Sequence, residues 1–473
     1  MTTFASWSSL APFQSILGNG LRAMRFGPGR QPAQIAAFQT RCLRAIVRQA
    51  YDAVPYYRTL FQQAGVQPED IRTLDDIQRI PISSRSAIQE TPIEQICRRD
   101  VRPQDLLFRS TSGSSGRPLQ IRRSWMEEQI LLALRAKACR GYGLGVRSAR
   151  ISVRWEAEPE QDTTLLERFG LAKRHALSRR SSNDDVARTL RQARADFIEG
   201  PPSLLAKLAS VLTENDRALG RAKVILTGSE SLTLQRRREI ERGFGAPIRD
   251  IYGSHEFVFI AGECPHGGPY HVADESLIVE VLRDGEPVKP GETGELVGTA
   301  LHSYAMPFIR YRLGDLVVRG EGFCRCGALT TVLERIDGRV LDQFHLADGS
   351  VLHAYDLSSP LRTAAPWLRQ FQIVQYERKR ILIKAVALWE PSVEECRHAI
   401  APVREVLGEN AEVDLKLVES IPRAHTGKLY PYISFERLEA WREHLGAGVL
   451  MSFPEALGRD GAHTAVVREV SAP

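Results

Sequence analysis

Between residues 149 and 252, short apolar runs alternate with longer stretches whose apolar positions recur every three or four residues. The runs at 149–153, 196–200, 223–227 and 247–252 read as strands; 186–195, 203–212 and 234–242 read as helices. Strands separated by helices of this length are joined by crossovers, and crossovers turn right-handed, so the pattern predicts a largely parallel sheet. In such a sheet, ligand-binding loops gather beyond the carboxyl ends of the strands. Two polar loops start there: Gly228, Ser229 and Glu230 after one strand, and Tyr252, Gly253, Ser254, His255 and Glu256 at the end of the next.

The rest of the chain is arranged around this unit. Apolar residues from Ile35 to Ala50 fall at helical spacing, and Pro55 ends that helix because the residue before proline disfavours helical geometry. Ser83 is the expected cap of a short helix at 86–90. Residues 1–105 thus form a helical preface. From 277 onward alternation replaces helical spacing, and antiparallel strands are expected at 277–282, 294–297 and 309–312. A boundary follows 335–339. Beyond it, a hairpin (371–376 with 381–386), a helix (393–407) and a strand (411–418) describe an α+β domain over 339–450. Residues 451–473 read as a loosely held tail, and no internal repeat is present.

At 473 residues the chain exceeds one ordinary core, so a large domain over 1–338 and a smaller one fit its length. A net charge of +6 spread along the chain suits small anionic ligands and gives no basis for a nucleic-acid partner. No run is long and apolar enough to span a membrane. Seven cysteines without a signal sequence point to a reducing compartment, with the cytoplasm as default.

Between Arg109 and Pro118 lies a run rich in hydroxyls and glycine: Thr111, Ser112, Gly113, Ser114, Ser115 and Gly116. Glycines allow close backbone approach, and successive amides and hydroxyls donate to phosphate oxygens. The alternative is a flexible Ser/Gly linker. No Gly-Lys-Ser/Thr follows, so this is not the loop of the P-loop nucleotide hydrolases.

Taken in order, these motifs resemble the adenylate-forming enzyme superfamily. They are most similar to its phenylacetate–CoA ligase-like branch, which includes capsule-polysaccharide-associated members. The resemblance covers residues 33–434 and extends to Val54, Pro55, Tyr56 and Tyr57 and to Gly200, Pro201 and Pro202. It implies an α/β acyl-adenylate synthetase fold: a large multi-layer N-terminal domain with helix-flanked sheets, and a small mobile α+β C-terminal lid. It implies that residues 111–116 hold the β- and γ-phosphates of ATP. Gly228, Ser229 and Glu230 would line the adenine pocket, Tyr252 would stack on adenine, and Gly253 and Ser254 would complete that loop. Glu256 would hold Mg²⁺, Asp315 would accept the ribose hydroxyls, Arg339 would sit near the nucleotide at the hinge, and Lys428 would reach the α-phosphate. Two positions depart from the pattern. His255 replaces a hydroxyl or small residue, and the hinge acid is either displaced by Leu341 or shifted to Asp342.

Cys264, Cys324 and Cys326 lie in Gly-rich turns, with His271 or His266 as a fourth donor. Three thiolates and an imidazole make a closed tetrahedral zinc site; the alternative is a set of small buried residues. The resemblance implies such a structural Zn²⁺ knot in this branch. Cys42, Cys139 and Cys396 read as core. The implied reaction converts a carboxylic acid and ATP to an acyl-adenylate and pyrophosphate, then transfers the acyl group to coenzyme A. Transfer to an amine or hydroxyl, or nucleotide binding without catalysis, are the alternatives, in a monomer or homodimer. The acid would meet residues 125–135, Arg154, Trp155, 197–201 and Phe257; its identity is not legible.

Overall fold

A computed structural model describes residues 10–26, 31–110, 119–145, 147–154, 173–178, 181, 183–212, 222–230, 232, 234–339, 343–346, 348–349, 351–408, 411–421, 430–435 and 438. It divides into two compact units, residues 1–110, 120–313 and 317–336 in one, and 111–119, 314–316 and 337–473 in the other.

The first unit opens with α1 (Leu10–Arg25), α2 (Pro32–Ala53) and α3 (Pro55–Gln63). Ile35, Phe38, Cys42, Leu43, Ile46, Val47 and Ala50 form the buried stripe of α2. Val54, extended at φ −115°, closes α2 and opens α3, because Pro55 excludes helical geometry from it and then serves as the first helical residue. The buried Tyr57 hydroxyl donates to the Pro307 carbonyl and accepts from Ile309 N–H, both at 3.0 Å. The preface is thereby fastened to the residues leading into a later strand.

One local expectation is corrected. The helix α4 (Arg85–Glu90) is capped by Ser84, whose Oγ accepts from Ala87 N–H at 3.2 Å. Ser83 is instead buried, donating its hydroxyl to Ile309 at 2.9 Å and bridging Tyr311. A serine at a strand contact and one at a cap look alike in sequence. After α5 (Ile93–Ile96), β1 (Leu107–Ser110) pairs antiparallel with β2 (Gln120–Arg123), Ser110 opposite Gln120. Ser124 and Glu127 form a capping box on α6 (Trp125–Ala138).

The following elements are β3 (Arg150–Arg154), β4 (Arg174–Ser178), α7 (Asn183–Ala193), β5 (Phe197–Gly200), α8 (Pro202–Val211), β6 (Val224–Gly228), α9 (Leu234–Phe244) and β7 (Ile248–Tyr252). Then come β8 (Ala261–Glu263), β9 (Tyr270–Val272), β10 (Leu277–Arg283), β11 (Glu286–Pro287), β12 (Thr293–Ala300), β13 (Tyr311–Arg319) and β14 (Val332–Arg339). They form one twelve-stranded sheet in the order β11-β10-β12-β13-β14-β9-β8-β7-β6-β5-β3-β4. The strands β4, β3, β5, β6 and β7 are mutually parallel; β7, β8, β9 and β14 pair antiparallel in succession. Ile151, Val153, Ile198, Ile225 and Ile248 pack under Leu190, Leu205, Ile240 and Phe244 of the crossover helices. β4, β8 and β9 were not expected from sequence: each is short, and β8 reads Ala-Gly-Glu, with no apolar alternation.

In the second unit, β15 (Gln343–His345) pairs with β16 (Val351–His353), followed by α10 (Ala354–Ala364). The strands β17 (Leu368–Glu377) and β18 (Arg380–Ala387) form the expected hairpin, with α11 (Val393–Leu407), β19 (Glu412–Leu417) and β20 (Tyr432–Ile433) after them. Their sheet runs β19-β18-β17-β20 over a core containing Trp367, Ile373, Ile383 and Ile400. Among the described residues, no helix is long and apolar enough to cross a membrane.

Candidate nucleotide site and Cys/His cluster

The loops after β6 and β7 lie side by side at the carboxyl ends of paired strands, Gly228 opposite Ile251. A Cβ on Gly228 would stand 2.8 Å from the Ile251 carbonyl, so the two strand ends approach as closely as only glycine allows. Ser229 follows at φ +70°, and Glu230 Oε2 accepts from Ser203 N–H at 3.2 Å, tying this loop to the start of α8.

Tyr252 is buried at the end of β7. At Gly253 a Cβ would meet the Val258 carbonyl at 2.4 Å, a distance no substitution accommodates without moving backbone. The chain then folds back on itself: Val258 N–H bonds the Ser254 carbonyl at 2.7 Å, and Phe257 N–H bonds Ser254 Oγ at 3.2 Å. Val258 sits at φ +65°, unusual for a β-branched residue. Phe257 anchors the turn against Phe308 and Tyr311.

This turn presents Glu256, only 2% exposed. Its Oε1 accepts from the Tyr311 hydroxyl at 3.3 Å and faces the Arg85 guanidinium at 3.6 Å. Burial, with the Glu256 charge adding to it, raises the Tyr311 pKa, so the phenol stays a donor. His255 keeps one side in solvent; loss of water on the other lowers its pKa, which the Glu256 charge opposes. The Glu256 carboxylate is thus held in place by one donor hydroxyl and one neighbouring guanidinium.

Asp315 is buried on β13, four residues beyond Tyr311 and directly after Gly314 at φ +81°. Arg339 ends β14 after Gly338 at φ +118°. The Arg339 side chain, residues 111–116, Leu341, Asp342 and Lys428 lie outside the described residues. Arg85 was absent from the candidates drawn from sequence, and Tyr311, which opens the motif ending at Asp315, had no role of its own among them. Arg85 lies 171 positions before Glu256 in the chain, and only the fold brings them together.

The Cys/His donors converge. Atoms of Cys264, His271, Cys324 and Cys326 all lie within 4.8 Å of one another. Cys324 Sγ and Cys264 Sγ are 3.7 Å apart, and Cys326 Sγ and His271 Nε2 are 3.6 Å apart. A tetrahedral Zn–S distance of about 2.3 Å requires ligand separations of about 3.8 Å, so the donor set fits. His266 is not in this group. Cys264 directly follows β8, His271 lies on β9, and tight turns shape both thiolate arms: Gly267 N–H bonds the Cys264 carbonyl and Gly327 N–H that of Cys324. Cys42, Cys97, Cys139 and Cys396 are buried, and burial pushes the Cys42 and Cys97 thiols up to about 12.

A buried polar network links the two places. The Asp250 carboxylate on β7 accepts from Thr227 and from Tyr270, each at 2.8 Å. Glu263 Oε2 accepts from Asp250 N–H at 2.9 Å and from Arg237 at 2.7 Å. Glu263 and Tyr270 neighbour Cys264 and His271 in sequence, whereas Thr227 and Asp250 precede the loops after β6 and β7.

A solved structure of 2-hydroxyisobutyryl-CoA ligase in the postadenylation state, in complex with R3-HIB-AMP, matches with a TM-score of 0.72 at 20% identity. The match covers 88% of this chain and 94% of that one. The fold is that of the adenylate-forming CoA ligases. The sequence relatives include phenylacetate-coenzyme A ligases and the Protein CapK of Staphylococcus aureus. The chain is 28% identical to the one from Escherichia coli (strain K12) over 340 residues, 65% of this chain and 71% of the relative. It is 25% identical to the one from Thermus thermophilus over 450 residues, 84% and 95% of the two chains. Residues 344–434 match the CapK C-terminal domain. The resemblance read from the motifs, to the phenylacetate–CoA ligase-like branch with its capsule-associated members, is thus borne out.

Proposed function

We propose that this chain activates a carboxylic acid with ATP and Mg²⁺, releasing pyrophosphate, and transfers the acyl group from AMP to coenzyme A. The observation that carries this reading is the placement of Glu256. It is buried beside Tyr311 and Arg85, in a turn that leaves β7 next to the glycine-shaped end of β6. Relatives named phenylacetate-coenzyme A ligase support the acid–thiol chemistry.

In this reading Glu256 supplies a carboxylate oxygen to the cation, which would neutralise phosphate charge. Residues 111–116 hold the β- and γ-phosphates, Gly228, Ser229, Glu230 and Tyr252 to Ser254 enclose adenine, and Asp315 accepts the ribose diol. Arg339 lies near the nucleotide. Lys428 stabilises charge that develops on the α-phosphate as the carboxylate attacks. Cys264, His271, Cys324 and Cys326 hold a structural zinc, supported by their 3.6–3.7 Å donor spacings.

Pyrophosphate release measured with a panel of carboxylic acids, with and without coenzyme A, tests the reading. Release together with a CoA thioester is expected. Release without thioester would move the acceptor to an amine or hydroxyl, and no release with any acid would leave a nucleotide binder. Lys428→Ala should suppress adenylate formation by about 10²-fold or more while a supplied acyl-adenylate still reacts with coenzyme A; equal loss in both half-reactions would refute the role of Lys428.

A further inference from the structure

The hairpin β1–β2 flanks the hydroxyl-rich segment 111–118, and its base is held by a chain of charged groups. On β1, Arg109 Nη2 donates to Glu128 Oε1 at 2.9 Å. On β2, Arg123 Nη1 donates to Glu128 Oε2 at 3.1 Å. The other amino group of Arg123 reaches across to the turn after β7, donating to the Glu256 carbonyl at 2.9 Å and to the His255 carbonyl. Arg123 is 2% exposed and Glu128 7%.

Burying a guanidinium this completely is costly unless its donors are matched. If charge balance were its only task, Glu128 would suffice. Half of the Arg123 fork is instead spent on two successive carbonyls of the turn that presents Glu256. A planar, rigid fork fixes the relative position of what it binds far better than an ammonium does. Glu128, in the first turn of α6, takes one arginine from each strand of the hairpin and so sets the spacing of the two strands as well.

We infer that Arg109, Glu128 and Arg123 form a positioning bridge that ties the hairpin β1–β2 to the turn presenting the Glu256 carboxylate, so that a cation taken by Glu256 meets a preset geometry. This rests on the adenylation reading of Glu256. None of the three bridge residues touches the reacting atoms; they act through the groups they hold. Misplacement by about 1 Å at such a site costs about 10²-fold in rate. The bridge matters while the β- and γ-phosphates are present, and its importance ends once pyrophosphate has left.

The test compares the two half-reactions in Arg123→Met, Arg123→Lys and Glu128→Gln. In Arg123→Met, adenylation should fall about 10²-fold and need more Mg²⁺ for half-maximal rate, while thiolysis of a supplied acyl-adenylate changes less than about threefold. Arg123→Lys should recover only part of the loss, and Glu128→Gln should show a smaller loss in the same half-reaction. Equal losses in both half-reactions, or no loss, would overturn the bridge. A wild-type protein that forms no adenylate would refute the adenylation reading instead. Hydrogen exchange, read without turnover, decides the bridge in that case. The Phe257 and Val258 amides, both bonded to Ser254, should exchange at least about tenfold faster in Arg123→Met, and by a smaller factor in the milder Glu128→Gln, which serves if the former fails to fold; unchanged protection would refute the proposal.

Discussion

Two neighbouring parts of the large sheet are kept in shape by different means. The loops after β6 and β7 are shaped by backbone against backbone: Gly228 against Ile251, Gly253 against Val258. The tip of the hairpin β8–β9 has none of this, although Gly262 within β8 is crowded by the side chains of Tyr142 and Phe259. Gly267 and Gly268 have positive φ and nothing within 4 Å of an added Cβ, and the arms are gathered by four side-chain donors. Steric contact works without help once the chain has folded. Three sulfurs and an imidazole this close together suit a shared cation, the zinc proposed above. Removing a ligand should therefore loosen one part and leave the other intact, and adding a methyl group should do the reverse.

The largest effect is expected from the metal. If the Kd for zinc lies about a thousandfold below the zinc concentration, chelation or Cys324→Ser should cost about 4 kcal/mol, the linkage energy at that ratio. Thermal midpoints before and after chelation, read with the metal content, check this. A protein that contains no metal and is indifferent to chelators would erase the contrast. Next comes Glu256→Gln, which should lower adenylation by about 10²–10³-fold, as loss of one preorganised electrostatic group does, with little change in midpoint. Undiminished pyrophosphate release would remove Glu256 from the site.

Smaller, and most direct on the comparison, is a pair of alanines. Gly253→Ala drives a Cβ to 2.4 Å from a carbonyl oxygen, and the backbone shift should cost about 1–3 kcal/mol together with most of the adenylation rate. Gly267→Ala meets no atom and should cost about 1 kcal/mol, from its φ of +84° alone. Denaturant midpoints that ranked the two the other way would mean that the hairpin, not the nucleotide-side turn, is the sterically defined element.

What could be read from sequence follows the same division. Periodicity exposed β3, β5, β6, β7 and their helices because each buries an alternating or helical stripe. The motifs after β6 and β7 stood out because sterics demanded glycine there. β8 and β9 were illegible: three-residue strands whose register comes from neighbours, not from their own apolar pattern. The same applies to single side chains. Glu256 was visible in its motif, whereas Arg85 and Arg123, which hold its carboxylate and its carbonyl, are arginines among many and acquire meaning only through long-range contact.

The smallest effect concerns Asp250, where the two parts meet. Its carboxylate accepts from Thr227, next to the β6 loop, and from Tyr270, next to the zinc-ligand candidate His271. Burial is the main influence on its pKa and raises it, outweighing the two hydroxyl donors, and the nearby Glu263 charge adds to the rise. For an acid whose folded pKa lies above the unfolded value near 3.8, the unfolded chain releases its proton first as pH rises. This contribution to stability is therefore fullest below the unfolded pKa and declines as pH climbs toward the raised folded one. Asparagine at this position carries no proton to lose and can still bond both hydroxyls. In urea midpoints taken from pH 4 upward, Asp250→Asn should gain on the wild type through that window and then run parallel to it. A difference that stays flat, or tilts the other way, would make Asp250 an ordinary ionised carboxylate whose bonds to Thr227 and Tyr270 owe nothing to a retained proton.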